Sequence, residues 1–331
     1  MHDGGFFLII VLIWVLVSEF VNGWTDAPNA IATVVSTRVL SPSRAVIMAA
    51  VLNIIGALAT GTAVAATIGK GIVRPEIISL PVVLAAVVTV STWSTLAWRW
   101  GIPTSESHEL VAGLAGAGFA VAGPSVLLWE GWQKVLIGLG FSTFLGFFFA
   151  VVLMSSLYWM LRRTRLSSIR GIFGKLQIVS AAFMAFSHGS NDGQKYMGVF
   201  TLALVLGGVL TKFTVPIWVI LACGMMMGLG TAFGGWRIVR TMGYKITKLE
   251  PVNGFAAETS AAVAITVASA LGIPLSTTHT INTAIMGIGA TRGFSAVRWG
   301  VAGNIVTVWI LTFPVCAVLG YVYAWLLKLV F

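Results

Sequence analysis

The sequence predicts an all-α polytopic membrane protein of two inverted-topology repeats, with broken helices and re-entrant or paired helical hairpins. Three observations predict it. Hydrophobic residues make up 58% of the 331 and charged residues only 9%, with a mean hydropathy of +0.96, far from the profile of a soluble domain. One unusual block occurs twice: Gly-Ile-Pro-Thr-Ser-Glu-Ser-His (Gly101 to His108) returns as Gly-Ile-Pro-Leu-Ser-Thr-Thr-His (Gly272 to His279). A second pair of polar blocks, GWTDAPNA (Gly23 to Ala30) and GSNDGQKY (Gly189 to Tyr196), precedes the first pair in the same order. Matched interruptions in two apolar halves mark a membrane fold whose site lies between the halves.

In chain order, the apolar stretch 6–36 enters from outside and Arg38 and Arg44 follow it on the inside. The run 45–68 exits, 80–120 loops in and back around the first Gly-Ile-Pro block, and 135–161 enters. Each full run reaches the roughly 20 residues a bilayer crossing needs. Arg162, Arg163, Arg165, Arg170 and Lys175 contain no acid among them and mark the cytoplasm. The second half then mirrors the first: 176–210 exits, Lys212 lies outside, 214–236 returns to Arg237, Arg240, Lys245 and Lys248, 256–290 goes in and back, and the last run exits. An odd number of crossings per half inverts the second. The expected division is a first repeat at 1–163, a basic cytoplasmic linker at 164–175 and a second repeat at 176–331, with both termini external. Most Lys and Arg are cytoplasmic on this assignment.

The formal charge of +10 sits in short loops between apolar runs, so it reports topology and not a nucleic-acid partner. The start, MHDGG, lacks the basic n-region of a secretory signal, so the first run is read as a retained helix. Cys223 and Cys316 fall in apolar runs and offer neither a disulfide framework nor metal spacing. No cofactor is expected and no metal ligand set is assigned. The frequent glycines, such as Gly113, Gly116 and Gly118, are read as sites of close helix packing.

Pro103 and Pro274 each break an apolar run. The hydroxyls that follow, Ser105 and Ser107 in one block and Ser276, Thr277 and Thr278 in the other, stand where they cap the returning helix. Two such helix starts facing each other, with free N–H groups and the positive end of the macrodipole, suit an anion. Asp26 and Asp192 lie in the other blocks beside Asn29, Asn191 and Lys195. A carboxylate inside a transmembrane run costs about 2.5 to 3.5 kcal/mol on insertion scales and marks function by default. Pro28 in one block, and Gly189 and Gly193 in the other, are expected to unwind the chain so that carbonyls join the carboxylates in holding a cation. Ionised carboxylates repel an anion strongly in a low dielectric, so the anion binds with its co-ion; that is symport. Glu258 is a third candidate cation carrier and Glu19 a fourth. His108 and His279 are expected to hydrogen-bond the turns, or to titrate near neutrality. Arg99 breaks the symmetry, Ala270 standing at the equivalent place.

These blocks resemble the signatures of the inorganic phosphate transporter (PiT) family, Gly-Ala-Asn-Asp-Val-x-Asn-Ala in each inverted half with Pro-x-Ser-x-x-His blocks downstream. The first signature has Thr25 in place of an Asn and the second has Lys195 where an Asn is expected; Glu106 replaces a neutral residue in the first Pro block. The likeness covers almost the whole chain. It implies a secondary carrier of inorganic phosphate in a bacterial inner membrane, in contact with lipid and compatible with a homo-oligomer. The co-transported ion it implies is a proton or sodium, with a metal–phosphate complex as another form of cargo. The candidate substrate residues are Asn29, Ser105, Ser107, Asn191, Lys195, Ser276, Thr277 and Thr278, and the candidate coupling residues are Asp26, Asp192 and Glu258. The same architecture serves another tetrahedral oxyanion such as sulfate, or more remotely a passive channel. Catalysis is not expected: His108-Glu109 is followed by Ala112 where a zinc protease needs a second His, and no nucleophile elbow is present.

Overall fold

The computed structural model describes residues 3–74 and 77–330. Met1 and His2, which open the MHDGG start, lie outside the described residues, as do Pro75, Glu76 and Phe331. Among the described residues the only extended pairing is one isolated bridge between Val73 and Leu127. The rest of the ordered backbone is helical: α1 Asp3–Asp26, α2 Pro28–Ser36, α3 Pro42–Ala59, α4 Ala63–Gly71, α5 Leu80–Trp100, α6 Glu106–Ala122, α7 Trp129–Leu161, α8 Leu166–Leu206, α9 Ile217–Phe233, α10 Trp236–Arg240, α11 Pro251–Ala270, α12 Thr277–Thr291 and α13 Trp299–Val330. Among the described residues, six helical segments are long and apolar enough to cross a membrane, or seven if α9 and its continuation Trp236–Lys245, bent from it by 57°, are taken as one. The protein is therefore an integral membrane protein, helical throughout its spans.

The same order of elements occurs twice. A long helix carrying a signature Asp (α1–α2; α8) leads to a helix that bends (α3–α4; α9–α10), then a hairpin with a Gly-Ile-Pro tip (α5–α6; α11–α12), a short 3-10 turn, and a final long helix (α7; α13). Both hairpin tips begin at a glycine in the left-handed region, Gly101 at φ 69° and Gly272 at φ 67°, where a side chain is strained. The Ile-Pro that follows prevents the helix from continuing.

Two sequence expectations need correction. The segment 164–175 is not a free linker, because only 162–165 separates α7 from α8 and the chain is helical again from Leu166. At 41 residues α8 is roughly 60 Å long, about twice the hydrocarbon thickness, so its first, exposed turns extend beyond it. Nor do Gly189 and Gly193 unwind the second signature: α8 runs through both without interruption. Gly189 is there because α3 presses on it, a Cβ at this position falling 2.1 Å from the Asn53 carbonyl oxygen. In the first signature the interruption is one residue, Ala27, whose N–H still bonds the Gly23 carbonyl at 3.1 Å. Pro28 has no N–H to offer the Trp24 carbonyl, and the Ala30 N–H turns to the Ala27 carbonyl at 3.1 Å.

The two halves are packed through each other and not side by side. The short helices α6 and α12 are buried almost throughout, each covered by the last helix of the other half. At the α6–α13 crossing, a Cβ on Gly116 would stand 1.9 Å from the Ala317 carbonyl oxygen and one on Gly320 would stand 2.3 Å from that of Gly113. Small residues let these backbones touch, which is how helices gain contact energy where lipid supplies no hydrophobic drive. Gly116→Ala and Gly320→Ala should each force α6 and α13 apart, costing on the order of 1–3 kcal/mol. The measurement is the thermal midpoint of the detergent-solubilised protein; an unchanged midpoint for both would mean the crossing is not as close as described.

Candidate functional site

The four polar blocks meet. Asp26, on the last turn of α1, accepts from Thr278 Oγ1 at 3.2 Å. Asp192, midway along α8, accepts from Thr277 Oγ1 at 3.0 Å. Asn29 Nδ2 donates to Thr278 Oγ1 at 2.9 Å and to Thr277 Oγ1 at 3.3 Å. Ser107 Oγ donates to the Leu275 carbonyl at 3.1 Å, joining the tip of one hairpin to the start of the other. The hairpins also touch through His108 and His279, whose ring centres are 4.7 Å apart.

Lys195 is the positive charge of this cluster. Its Nζ lies 2.5 Å from Asp192 Oδ1, 2.5 Å from Ser107 Oγ and 3.3 Å from the Leu275 carbonyl, and both partners of the ion pair are 1% exposed. A carboxylate, a hydroxyl and a carbonyl surround it, so the ammonium occupies an oxygen cage. Asp26, Asp192 and His188 each offer a ligand atom within 4.8 Å of the others, with His188 Nε2 3.4 Å from Asp192 Oδ2. Two ionised carboxylates at that separation repel by about 3 to 4 kcal/mol at an effective dielectric of 20. That set can therefore hold a cation, and it cannot hold a bare anion cheaply.

The remaining sequence candidates divide. Ser276 caps α12, its Oγ accepting from the His279 N–H at 3.1 Å, and it keeps its own hydrogen to donate. Ser105, the matching residue before α6, makes no side-chain cap bond, and its buried Oγ has no partner among the described residues. Asn191 donates to Ser269 Oγ at 2.8 Å while its Oδ1 stays unpaired. Buried polar atoms are rarely left unpaired, so these orphans are places for a polar ligand. Glu258 is not in the cluster. On α11, it meets α2 at Thr33, one turn past Asn29, taking hydrogen bonds from Thr33 Oγ1 at 2.5 Å, Gln177 Nε2 at 3.2 Å and Ser180. His279 does not hydrogen-bond its turn through its ring: it stacks on Trp309 at 3.7 Å between ring centres, and neither of its ring nitrogens has a partner among the described residues, nor does His108 Nδ1.

The site is closed at both ends. Thr241 Oγ1 donates to the Gly101 carbonyl at 2.6 Å and Thr67 Oγ1 to the Gly272 carbonyl at 2.8 Å. Beyond the Gly101 tip lies a cavity of about 450 Å³ lined by Arg99, Arg237, Arg240 and Lys245. Beyond the Gly272 tip lies one of about 800 Å³ lined by Arg74 and Lys134 among others. Pro42, at the start of α3, shares a surface with Trp236 and Arg240, and Ala63, just past its end, lines the other cavity. α3, whose 18 residues span roughly 27 Å, runs between these two regions. Arg99 is therefore a lining residue of a basic, exposed cavity and does not reach the buried cluster.

A model of the phosphate transporter family matches residues 22–320. This chain belongs to that family. It is 47% identical over 315 residues to a protein of Rhizobium meliloti (strain 1021) named "Probable low-affinity inorganic phosphate transporter", with 95% of this chain and 94% of that one covered. A protein of Bacillus subtilis (strain 168) with the same name is 40% identical, with 98% of each covered. A solved structure, "The sodium-dependent phosphate transporter", superposes with a TM-score of 0.90 at 26% identity, covering 98% of this chain and 100% of that one. The family is one of transporters and not of enzymes.

Sequence reasoning passed over several residues that the fold brings in. His188 and Tyr196 stand four residues either side of Asp192 on one helix, a spacing that shares a face. Gln177 and Ser180 around Glu258, and Ser94 beside the first hairpin, carry no such signal because their partners are distant in the chain. The Lys195–Asp192 pair gives a test. Lys195→Met leaves a buried carboxylate without its ammonium, a change worth about 3–5 kcal/mol. Adding Asp192→Asn should recover much of the lost thermal stability in detergent. A double variant less stable than Lys195→Met would show that the two charges do not depend on each other.

Proposed function

We propose that this family member imports inorganic phosphate by symport with a cation, a proton or sodium, in an alternating-access cycle. The two halves, 1–163 and 176–331, are read as inverted repeats with both termini external, in the cytoplasmic membrane of a bacterium. Phosphate is held by the hydroxyls and helix starts of the two hairpin tips, Ser105, Ser107, Ser276, Thr277 and Thr278, with Asn29, Asn191 and Lys195. Asp26 and Asp192 carry the coupling, and Glu258 on α11 is a further candidate carrier outside their cluster.

The observation that carries this reading is the meeting of both hairpin tips with both signature aspartates, Thr278 on Asp26 and Thr277 on Asp192, in a chain whose relatives bear the name of phosphate transporters. Helix starts and hydroxyls attract a tetrahedral anion. The adjoining carboxylates admit it only once a positive charge has been added, which ties the two passengers together. Sodium as the coupling ion is supported by the likeness to a sodium-dependent transporter.

The experiment is labelled-phosphate uptake into proteoliposomes under imposed proton or sodium gradients. One gradient should drive accumulation, Asp26→Asn and Asp192→Asn should each abolish that accumulation, and excess sulfate should compete poorly, since sulfate has no proton to donate to a carboxylate. Full gradient-driven uptake by both variants would remove the aspartates from the coupling. Flux that persists without saturation after both gradients collapse would favour a channel.

A further inference from the structure

Between α7 and α13 lies a pocket of about 310 Å³, walled by Leu139 and Thr143 on the first helix and by Trp309, Ile310 and Phe313 on the second. Trp129 and Trp299 start these two helices, as aromatic residues do at membrane interfaces. Leu139 and Trp309 stand roughly 15 Å further along, half the thickness of the hydrocarbon. The rim faces lipid: Ile310 is 67% exposed, and Phe144, beside Thr143, is 65%. At the inner end is His279, itself 1% exposed, with neither ring nitrogen partnered among the described residues. Thr143 Oγ1 already donates to the Leu139 carbonyl at 3.0 Å, and no charged side chain lines the pocket among the described residues. Hydrocarbon cannot hydrogen-bond an imidazole, so leaving one unpaired at this depth is costly.

We propose that this pocket is a binding site, entered from the lipid, for a neutral amphiphile: a hydrocarbon body carrying one hydroxyl, with the hydroxyl on the His279 imidazole. Largely apolar walls with one or two placed polar groups are the usual make-up of a small-molecule site. An apolar cavity of about 150 Å³ takes up benzene, so by that measure this one has room for about ten heavy atoms. The lining selects the head group. An anion finds no cationic side chain, and a plain acyl chain fills the walls but leaves both nitrogens bare. A hydroxyl both donates and accepts, as a neutral imidazole does. The walls also rest on both hairpin tips. Trp309 stacks on His279 and donates Nε1 to the Pro103 carbonyl at 3.0 Å, while Phe313 lies 4.7 Å from His108 between ring centres. A guest from the membrane therefore bears on α6 and α12 together, from outside the polar cluster. The proposal does not depend on which anion or co-ion that cluster carries.

The test is photolabelling of the full chain in proteoliposomes with octanol bearing a diazirine, the labelled peptides being located by mass spectrometry. Label should saturate on 139–143 and 306–313. Unlabelled octanol should displace it better than octane at equal concentration in the membrane, by about 2- to 12-fold, the factor that one net hydrogen bond supplies. His279→Phe keeps an aromatic ring against Trp309 and removes both nitrogens, so the advantage of octanol over octane should vanish. Label spread over all lipid-facing helices with no saturable component overturns the proposal. So does displacement by octane equal to that by octanol in wild type, which would make the pocket a seat for lipid acyl chains. An octanol advantage undiminished in His279→Phe overturns it as well. Should His279→Phe fail to fold, Leu139→Trp, which fills the pocket from α7, decides: loss of the saturable label at 306–313 supports the site, and its retention overturns it.

Discussion

Among the described residues six carboxylic acids, Glu19, Asp26, Glu106, Glu109, Asp192 and Glu258, are buried, against one buried lysine, Lys195. No other constraint shapes the interior as much. An isolated carboxylate in a low-dielectric medium is too costly to persist, so each acid must be hydrogen-bonded, paired, protonated or joined by a cation. The polar residues around them are distributed accordingly: Lys195 and Thr277 on Asp192, Thr278 on Asp26, Asn22 on Glu19 at 3.0 Å, and Thr33, Gln177 and Ser180 on Glu258. Lys195 offsets one of these acids, so any other that ionises needs a positive visitor beside it, a condition that favours the entry of a cation together with an anion.

The packing keeps this charge in place. Because α6 lies under α13 and α12 under α7, each hairpin is roofed by the other half, and neither half could hold its hairpin buried alone. The glycine contacts at Gly116 and Gly320 fix the α6–α13 distance. Fixing it fixes Glu106 against Thr25 and Ser107 against Leu275. Core packing and site geometry are the same set of contacts here, so a methyl group added at the crossing is felt at the acids.

Much of this was legible in the sequence because two kinds of signal are local. Hydropathy and the paired Gly-Ile-Pro blocks give the spans and the hairpin tips, since proline and a left-handed glycine act on their own neighbours. The matched Asp blocks mark Asp26 and Asp192 for the same reason: a carboxylate in an apolar run is costly wherever the run folds. Gly189 and Gly193 misled because glycine permits two outcomes, unwinding and close approach, and only the position of α3 selects between them. Glu258 was legible as a buried acid but not as a separate one, its distance from the cluster being set by the crossing of α2, α8 and α11. The partners Ser94, Gln177 and Ser180 were not legible, because a hydrogen bond between helices leaves no trace in local spacing, whereas His188 and Tyr196 could have been found from their spacing to Asp192.

The closures at the two ends are alike in chemistry. One threonine hydroxyl on each bent segment holds the carbonyl of the glycine that starts each hairpin tip, Thr241 on Gly101 and Thr67 on Gly272. A bond of this kind is worth about 0.5–1.5 kcal/mol net, small beside the repulsion of about 3 to 4 kcal/mol between two facing carboxylates. Neither latch can therefore hold the interior shut against a change in its charge. On the alternating-access reading proposed above, adding or removing one positive charge is energetically larger than either closure, so the charge state of the buried acids, and not the strength of the latches, would set which arrangement is favoured.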